Sequence, residues 1–186
     1  GVAVHGRFGF GGIAAVTVLV PLLALAIALV VAPVHPHAAR RPPWRHVVGA
    51  VKWPGLGLTL SSSGYAMVSA FITLLFAQQG WNGAAYAFTA LGAGFIVARL
   101  AFGQLPDRLG GARVALGCAV VEALGLGMLW LAPGPALAWL GSALAGGGYA
   151  LAFQGFGVEA VRRTPPQSRG AAMGAYVAFQ DVAMLL

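Results

Sequence analysis

Acid is what this sequence has least of. Four of its 186 residues are Asp or Glu, against 11 Lys and Arg, and charged residues of all kinds make up 8%. An ordinary soluble domain is about a quarter charged, so a chain solvated on all sides is excluded. Cysteine is nearly missing too. The single Cys118 lies in an apolar run, which rules out an internal disulfide and leaves a helix-packing role. The net charge of +7 raises nucleic acid as a partner. The basic residues, however, sit in short connections between apolar runs without the aromatic interleaving of a single-strand groove, so no nucleic acid is expected.

Missing as well are a phosphate-binding glycine loop, a paired-carboxylate or triad constellation and a cluster with metal-ligand spacing. His35, His37 and His46 share one basic, Pro-rich stretch, but their spacing is not that of two ligands on one helix face. They read as solvated loop histidines. No metal, no cofactor and no covalent chemistry are expected.

What is present is hydrophobic length: 59% of the residues are apolar. They fall into runs over residues 10–32, 54–77, 84–102, 114–132 and 136–160, with a last run over 171–186 that stops while still apolar. Runs of this size cross a hydrocarbon core of about 30 Å as helices. They lack the alternating polarity of a membrane β-barrel, so the fold class is all-α, a polytopic membrane helix bundle. The first run is too long and lacks the basic start of a signal peptide. "GVAVHGRFGF" has the character of a helix tail and a turn, and with the abrupt final run it suggests a fragment cut at both ends.

The basic residues fix an orientation. Arg40, Arg41, Arg45 and Lys52 lie in the connection 33–53; Arg99, Arg108 and Arg113 flank the next alternate turn; Arg162, Arg163 and Arg169 flank the one after. These ten share one side, and only Arg7 falls on the other. The positive-inside rule places the ten in the cytoplasm. Trp44 and Trp53 then lie near the inner interface and Trp81 and Trp130 near the outer one. Small residues at four-residue spacing, Ala90, Gly94 and Ala98 on one run and Ser142, Gly146 and Ala150 on another, predict close helix seams. The triple glycine 146–148 offers a place to bend.

The short turn "GQLPDRLGGAR", residues 103–113, carries an adjacent acid and base. Gly103 permits close helix approach, and Gly110 and Gly111 can take positive φ in a tight turn. Asp107 suits a helix N-terminus, and Arg108 offers a planar fork to a carboxylate. In this setting the turn resembles the signature loop of the major facilitator superfamily, G-x-x-x-D-R-x-G-x-[RK]-[RK]. Gly103, Asp107, Arg108, Gly110 and Arg113 match, while Ala112 departs where a second basic residue is usual. "GVEAVRRTPPQSRG" is similar to the junction between the tenth and eleventh helices of that superfamily.

The resemblance covers almost the whole chain. It implies that residues 1–32 are the end of helix 5 and helix 6 of an N-terminal half otherwise missing, 33–53 the cytoplasmic central linker, and 54–186 the C-terminal bundle, helices 7 to 11. It implies secondary active transport of a small-molecule solute by alternating access. The order of segments looks like a bacterial branch of sugar or arabinose efflux permeases, which points to a proton-coupled, sugar or drug-like cargo and an inner membrane. Arg108 and Glu159, with Arg162 and Arg163 beside them, would form a latch on the cytoplasmic face. The rival readings are a membrane-embedded enzyme and a transporter-like receptor or scaffold.

Polar residues within the runs mark the candidate cavity. Ser62, Tyr65, Ser69 and Thr73 share one helical face, and Tyr149 and Gln154 lie on a helix that the resemblance makes cavity-lining. Asp181 is expected near mid-membrane, facing cargo or carrying a proton. Glu122 falls on a helix that the resemblance makes peripheral and is read as a structural or protonated acid.

Overall fold

The computed structural model describes residues 2–30 and 44–185. His35, His37, Arg40, Arg41 and residues 33–43 of the expected linker lie outside the described residues. No strand occurs among the described residues. Helix α1 (Val2–Val30) belongs to a first unit, Gly1–Ala39, and the other helices to a second, Arg40–Leu186. Gly9 breaks α1, with φ 60° and ψ −158°, a backbone region essentially restricted to glycine. The expected helix tail and turn thus appear as a short helical stretch and a break.

The second unit holds α2 (Trp44–Gln78), α3 (Ala84–Phe102), the short α4 (Leu105–Leu109), α5 (Gly111–Trp130), α6 (Pro135–Arg162) and α7 (Arg169–Met184), with a 3-10 turn at Pro166–Ser168 before the last. Counting α1 from Gly9, five helices among the described residues are long and apolar enough to cross a membrane. Helix α2 differs from expectation. It starts at Trp44, ten residues before the expected boundary at Pro54, so that proline sits inside the helix. Proline removes one backbone hydrogen bond and kinks a helix, but does not end one that packing holds. Here Val47, Val51 and Leu58 stay buried through that region, clustered with Ala172, Ala175 and Tyr176 of α7. The part of the linker after residue 43 is therefore helix. At 1.5 Å per residue α2 is about 52 Å long, well beyond one hydrocarbon core.

Helix α6 is the axis of the unit, packing against α2, α3, α5 and α7. Against α3 and α5 the closest of these contacts are backbone to backbone. A Cβ on Gly94 would collide with the carbonyl of Ala143, and one on Gly146 with that of Leu91. The predicted small-residue seams thus pack α3 against α6. The triple glycine lies at close helix contacts. Gly146 and Gly147 face α3 at Leu91, Gly94 and Ala98, while Gly148 faces α5 at Cys118 and Glu122. Three successive glycines let two helices reach one backbone.

Replacing Gly146 by Ala must push α3 away from α6. Overpacking of this kind typically costs about 1–3 kcal/mol. The Gly146→Ala protein should unfold at a lower temperature in detergent. Gly127→Ala, where an added Cβ meets nothing within 4 Å, should not.

Candidate functional site

Two cavities contain six of the candidate residues singled out above, Tyr65 and Tyr149 in one and Asp107, Arg108, Gly110 and Arg162 in the other. The first, about 290 Å³, is walled by four helices. Tyr65 of α2, Phe95 and Arg99 of α3, Tyr149 and Phe153 of α6, and Gln180 and Met184 of α7 line it. Tyr149 is the hub. Its ring stacks on Tyr65 at 4.5 Å between centroids, with an interplanar angle of 23°, and packs obliquely on Phe95 and Phe153. Ser62, fully buried, donates a hydrogen bond to its hydroxyl at 3.3 Å. Tyr176 extends the cluster and donates to the Phe153 carbonyl at 2.5 Å.

The hydroxyl stripe on α2 therefore divides. Ser62 and Tyr65 meet Tyr149, but Ser69 turns back to donate to the Tyr65 carbonyl at 2.9 Å. Such a local bond spends the hydroxyl on its own helix. Thr73 is exposed one turn further on. Gln154 is outside the cavity, donating to the Gly103 carbonyl at 3.0 Å and so tying α6 to the end of α3. Asp181 is exposed and its neighbour Gln180 takes the lining position, so the expected acid does not face this cavity. Phe95, Arg99, Phe153, Gln180 and Met184 were not singled out as lining residues. Arg99 had a usable signal, a cation still inside α3 rather than in the turn.

The second cavity, about 620 Å³, opens where the α3–α5 turn faces the end of α6. Asp107, Arg108, Gly110, Arg162 and Arg169 line it. Gly103 closes α3 without positive φ. Of the two turn glycines, only Gly110 uses positive φ, at 95°, and its amide donates to the Pro106 carbonyl at 3.1 Å. Gly111 serves close packing instead, since a Cβ there would meet the Gly155 carbonyl. Asp107 lies in the first turn of α4, yet its exposed carboxylate makes no capping hydrogen bond among the described residues. Arg108 donates to Gln104 at 2.9 Å, and Glu159 accepts from Arg163 at 2.8 Å. The expected contact of Arg108 with Glu159 is absent in this conformation, because each has a partner one helical turn away on its own chain segment. Arg113 and His46 are exposed.

Against this geometry the chain was compared with known proteins. It matches the Major Facilitator Superfamily across residues 1–186. The chain belongs to that family. It is 40% identical over 183 residues to an uncharacterized MFS-type transporter of Salmonella typhimurium, covering 98% of this chain and 47% of that protein. It is 47% identical over 144 residues to an uncharacterized MFS-type transporter of Pseudomonas aeruginosa, covering 77% of this chain and 36% of that one. YhhS of Salmonella typhi, also an uncharacterized MFS-type transporter, is 38% identical over 184 residues, 99% of this chain and 45% of its own. The chain thus spans less than half the length of these relatives. No solved structure matches it. As a member of the superfamily with apolar, membrane-length helices, it is an integral membrane protein.

Tyr149→Phe keeps the stack on Tyr65 and removes the group that accepts from buried Ser62. The loss should be about 0.5–1.5 kcal/mol, the net worth of one hydrogen bond. Tyr149→Ala also empties the hub and should lower the detergent melting temperature clearly further.

Proposed function

We propose that the protein is a secondary active transporter that carries a small solute by alternating access, with the Tyr65–Tyr149 cavity forming one half of its binding site. The carrying observation is that α2, α3, α6 and α7 all contribute to one aromatic pocket with polar groups at its edge. Stacked rings with a few placed polar groups are the usual makeup of small-molecule sites. Flat or amphiphilic cargo, such as a sugar ring or a drug-like aromatic, suits such walls. Arg99 and Gln180 supply hydrogen-bond donors, and Gln180 an acceptor as well.

The rest of the proposal follows the charge. The basic end of the bundle faces the cytoplasm of a bacterial inner membrane. Residues 1–32 supply the end of helix 5 and helix 6, residues 33–53 contain the central linker, and residues 54–186 supply helices 7 to 11 of the C-terminal half. Gly103, Asp107, Arg108, Gly110 and Arg113, with Glu159, Arg162 and Arg163, form the cytoplasmic gate. In another state of the cycle Glu159 exchanges Arg163 for Arg108. Partly exposed pairs of this kind differ little in energy, so the exchange is easily driven either way. Transport is coupled to protons and runs outward.

The test uses the intact protein in proteoliposomes with an imposed proton gradient and a panel of sugars and amphiphilic dyes. Flux of at least one panel compound should depend on the gradient. Tyr65→Ala should raise its KM about tenfold or more, as losing about 1.4 kcal/mol of binding would. No gradient-driven flux across the panel would count against the reading.

A further inference from the structure

The most deeply enclosed acid is not in the central cavity. Glu122, 3% exposed, lies on α5 between α2 and α6 and does not line the cavity that holds Arg99 and Gln180. Ser61 of α2 donates a hydrogen bond to its Oε2, while Oε1 has no partner among the described residues. Two glycines make room for it. A Cβ on Gly64 would come within 3.1 Å of Oε1, and one on Gly148 within 2.5 Å of the Glu122 amide nitrogen. The acid and Ser61 border a cavity of about 290 Å³ whose other walls are apolar, among them Leu60, Leu116, Leu126 and Phe156.

The titratable neighbours are few. On α6 Gly148 packs against the Glu122 backbone, and Tyr149 is the next residue along. Along α5 Cys118 is one turn away, and α2 presents only the Ser61 hydroxyl and Gly64. The ion pair among the described residues is Arg163 with Glu159, so no cation neutralises Glu122. A carboxylate with one hydroxyl donor and no cation is poorly tolerated in such surroundings, whereas a neutral acid fits them.

We propose that Glu122 is a proton-binding site of the transport cycle, holding its proton in the closed α2–α5–α6 contact seen here and releasing it when that contact opens to water. This rests on the transport reading above. On opening, the carboxyl O–H bond breaks, the proton passes to an entering water, and the carboxylate remains, solvated by water and by the Ser61 hydroxyl. Ser61 and Ser62 are adjacent on α2, one bonded to Glu122 and the other to Tyr149. A movement of α2 that frees Glu122 therefore also moves the Tyr149 end of the solute cavity.

The experiment places spin labels on Gln79→Cys and Leu131→Cys, at the far ends of α2 and α5, in the intact protein with Cys118→Ser, held in lipid nanodiscs. The probe is pH alone. The label-to-label distance distribution should shift between acid and alkaline buffer, and Glu122→Gln, which mimics the neutral acid, should keep the acid distribution throughout. A Glu122→Gln protein that shifts as the parent does, or a parent that does not shift, overturns the proposal. Should Glu122→Gln fail to fold, Ser61→Ala keeps the carboxyl and should shift at a displaced pH; an unmoved midpoint overturns it. A Glu122-dependent shift without solute flux would leave the proton site standing and sink the transport reading instead.

Discussion

In a hydrocarbon layer a backbone amide or carbonyl has no water to turn to, so each helix must satisfy its own and no hydrophobic force then draws helices together. Association has to come from contact area at short range. Helix α6 meets that demand by giving up side chains, with Gly146 and Gly147 against α3, Gly148 and Gly155 against α5, and Gly157 against the Tyr176 ring of α7. Larger residues at Gly146 and Gly147 would hold α3 and α6 too far apart for Gln154 to reach Gly103.

The same constraint sorts the polar groups by place. At the ends of the helices water can solvate ions, and there the charges are paired loosely and locally, Arg108 with Gln104 and Arg163 with Glu159. Inside, buried hydroxyls pair with groups on neighbouring helices or with backbone, Ser62 with Tyr149 and Tyr176 with the Phe153 carbonyl. Thr59 has two candidate acceptors, the Gly55 carbonyl on its own helix and the Phe179 carbonyl on α7. Glu122 and Gln154 each keep one buried oxygen without a partner. Gln154 is held by its amide to Gly103, so its orphan oxygen belongs to a tie between helices. Glu122 has a single hydroxyl, which sets it apart.

The all-α class, the membrane-length helices and the α3–α6 seam were legible because each depends on periodic or compositional signals: run length and small residues at four-residue spacing. The start of α2 was not, because "WRHVVGAVKWP" carries loop-like charge and a proline while its buried face, Val47 and Val51, is only two residues wide. Of the residues lining the first cavity, Tyr65 was legible from the hydroxyl stripe on α2 and Tyr149 from its place on α6. Phe95 and Phe153 were not, since an aromatic inside an apolar run carries no mark of which way it faces. Asp181 misled for a related reason: depth along a helix says nothing about rotation around it, and one position of rotation puts Gln180 on the cavity and Asp181 outside. Arg108 and Glu159 instead take partners one turn away on their own chain segments, a local alternative that the sequence offers equally well.

Helix α2 is where the two interiors join. Consecutive positions on a helix are about 100° apart, so Ser61 and Ser62 necessarily point to different neighbours, α5 in one case and α6 in the other. Neither bond is strong alone, but they share one backbone. Rotating or shifting α2 to improve one contact displaces the other, and Gly57 and Gly64, which set its approach to Phe156, Leu126 and Glu122, leave little slack for compensation. In the proposed cycle, protonation of Glu122 and the ring position of Tyr149 are thereby made mechanically dependent without any residue lining both cavities.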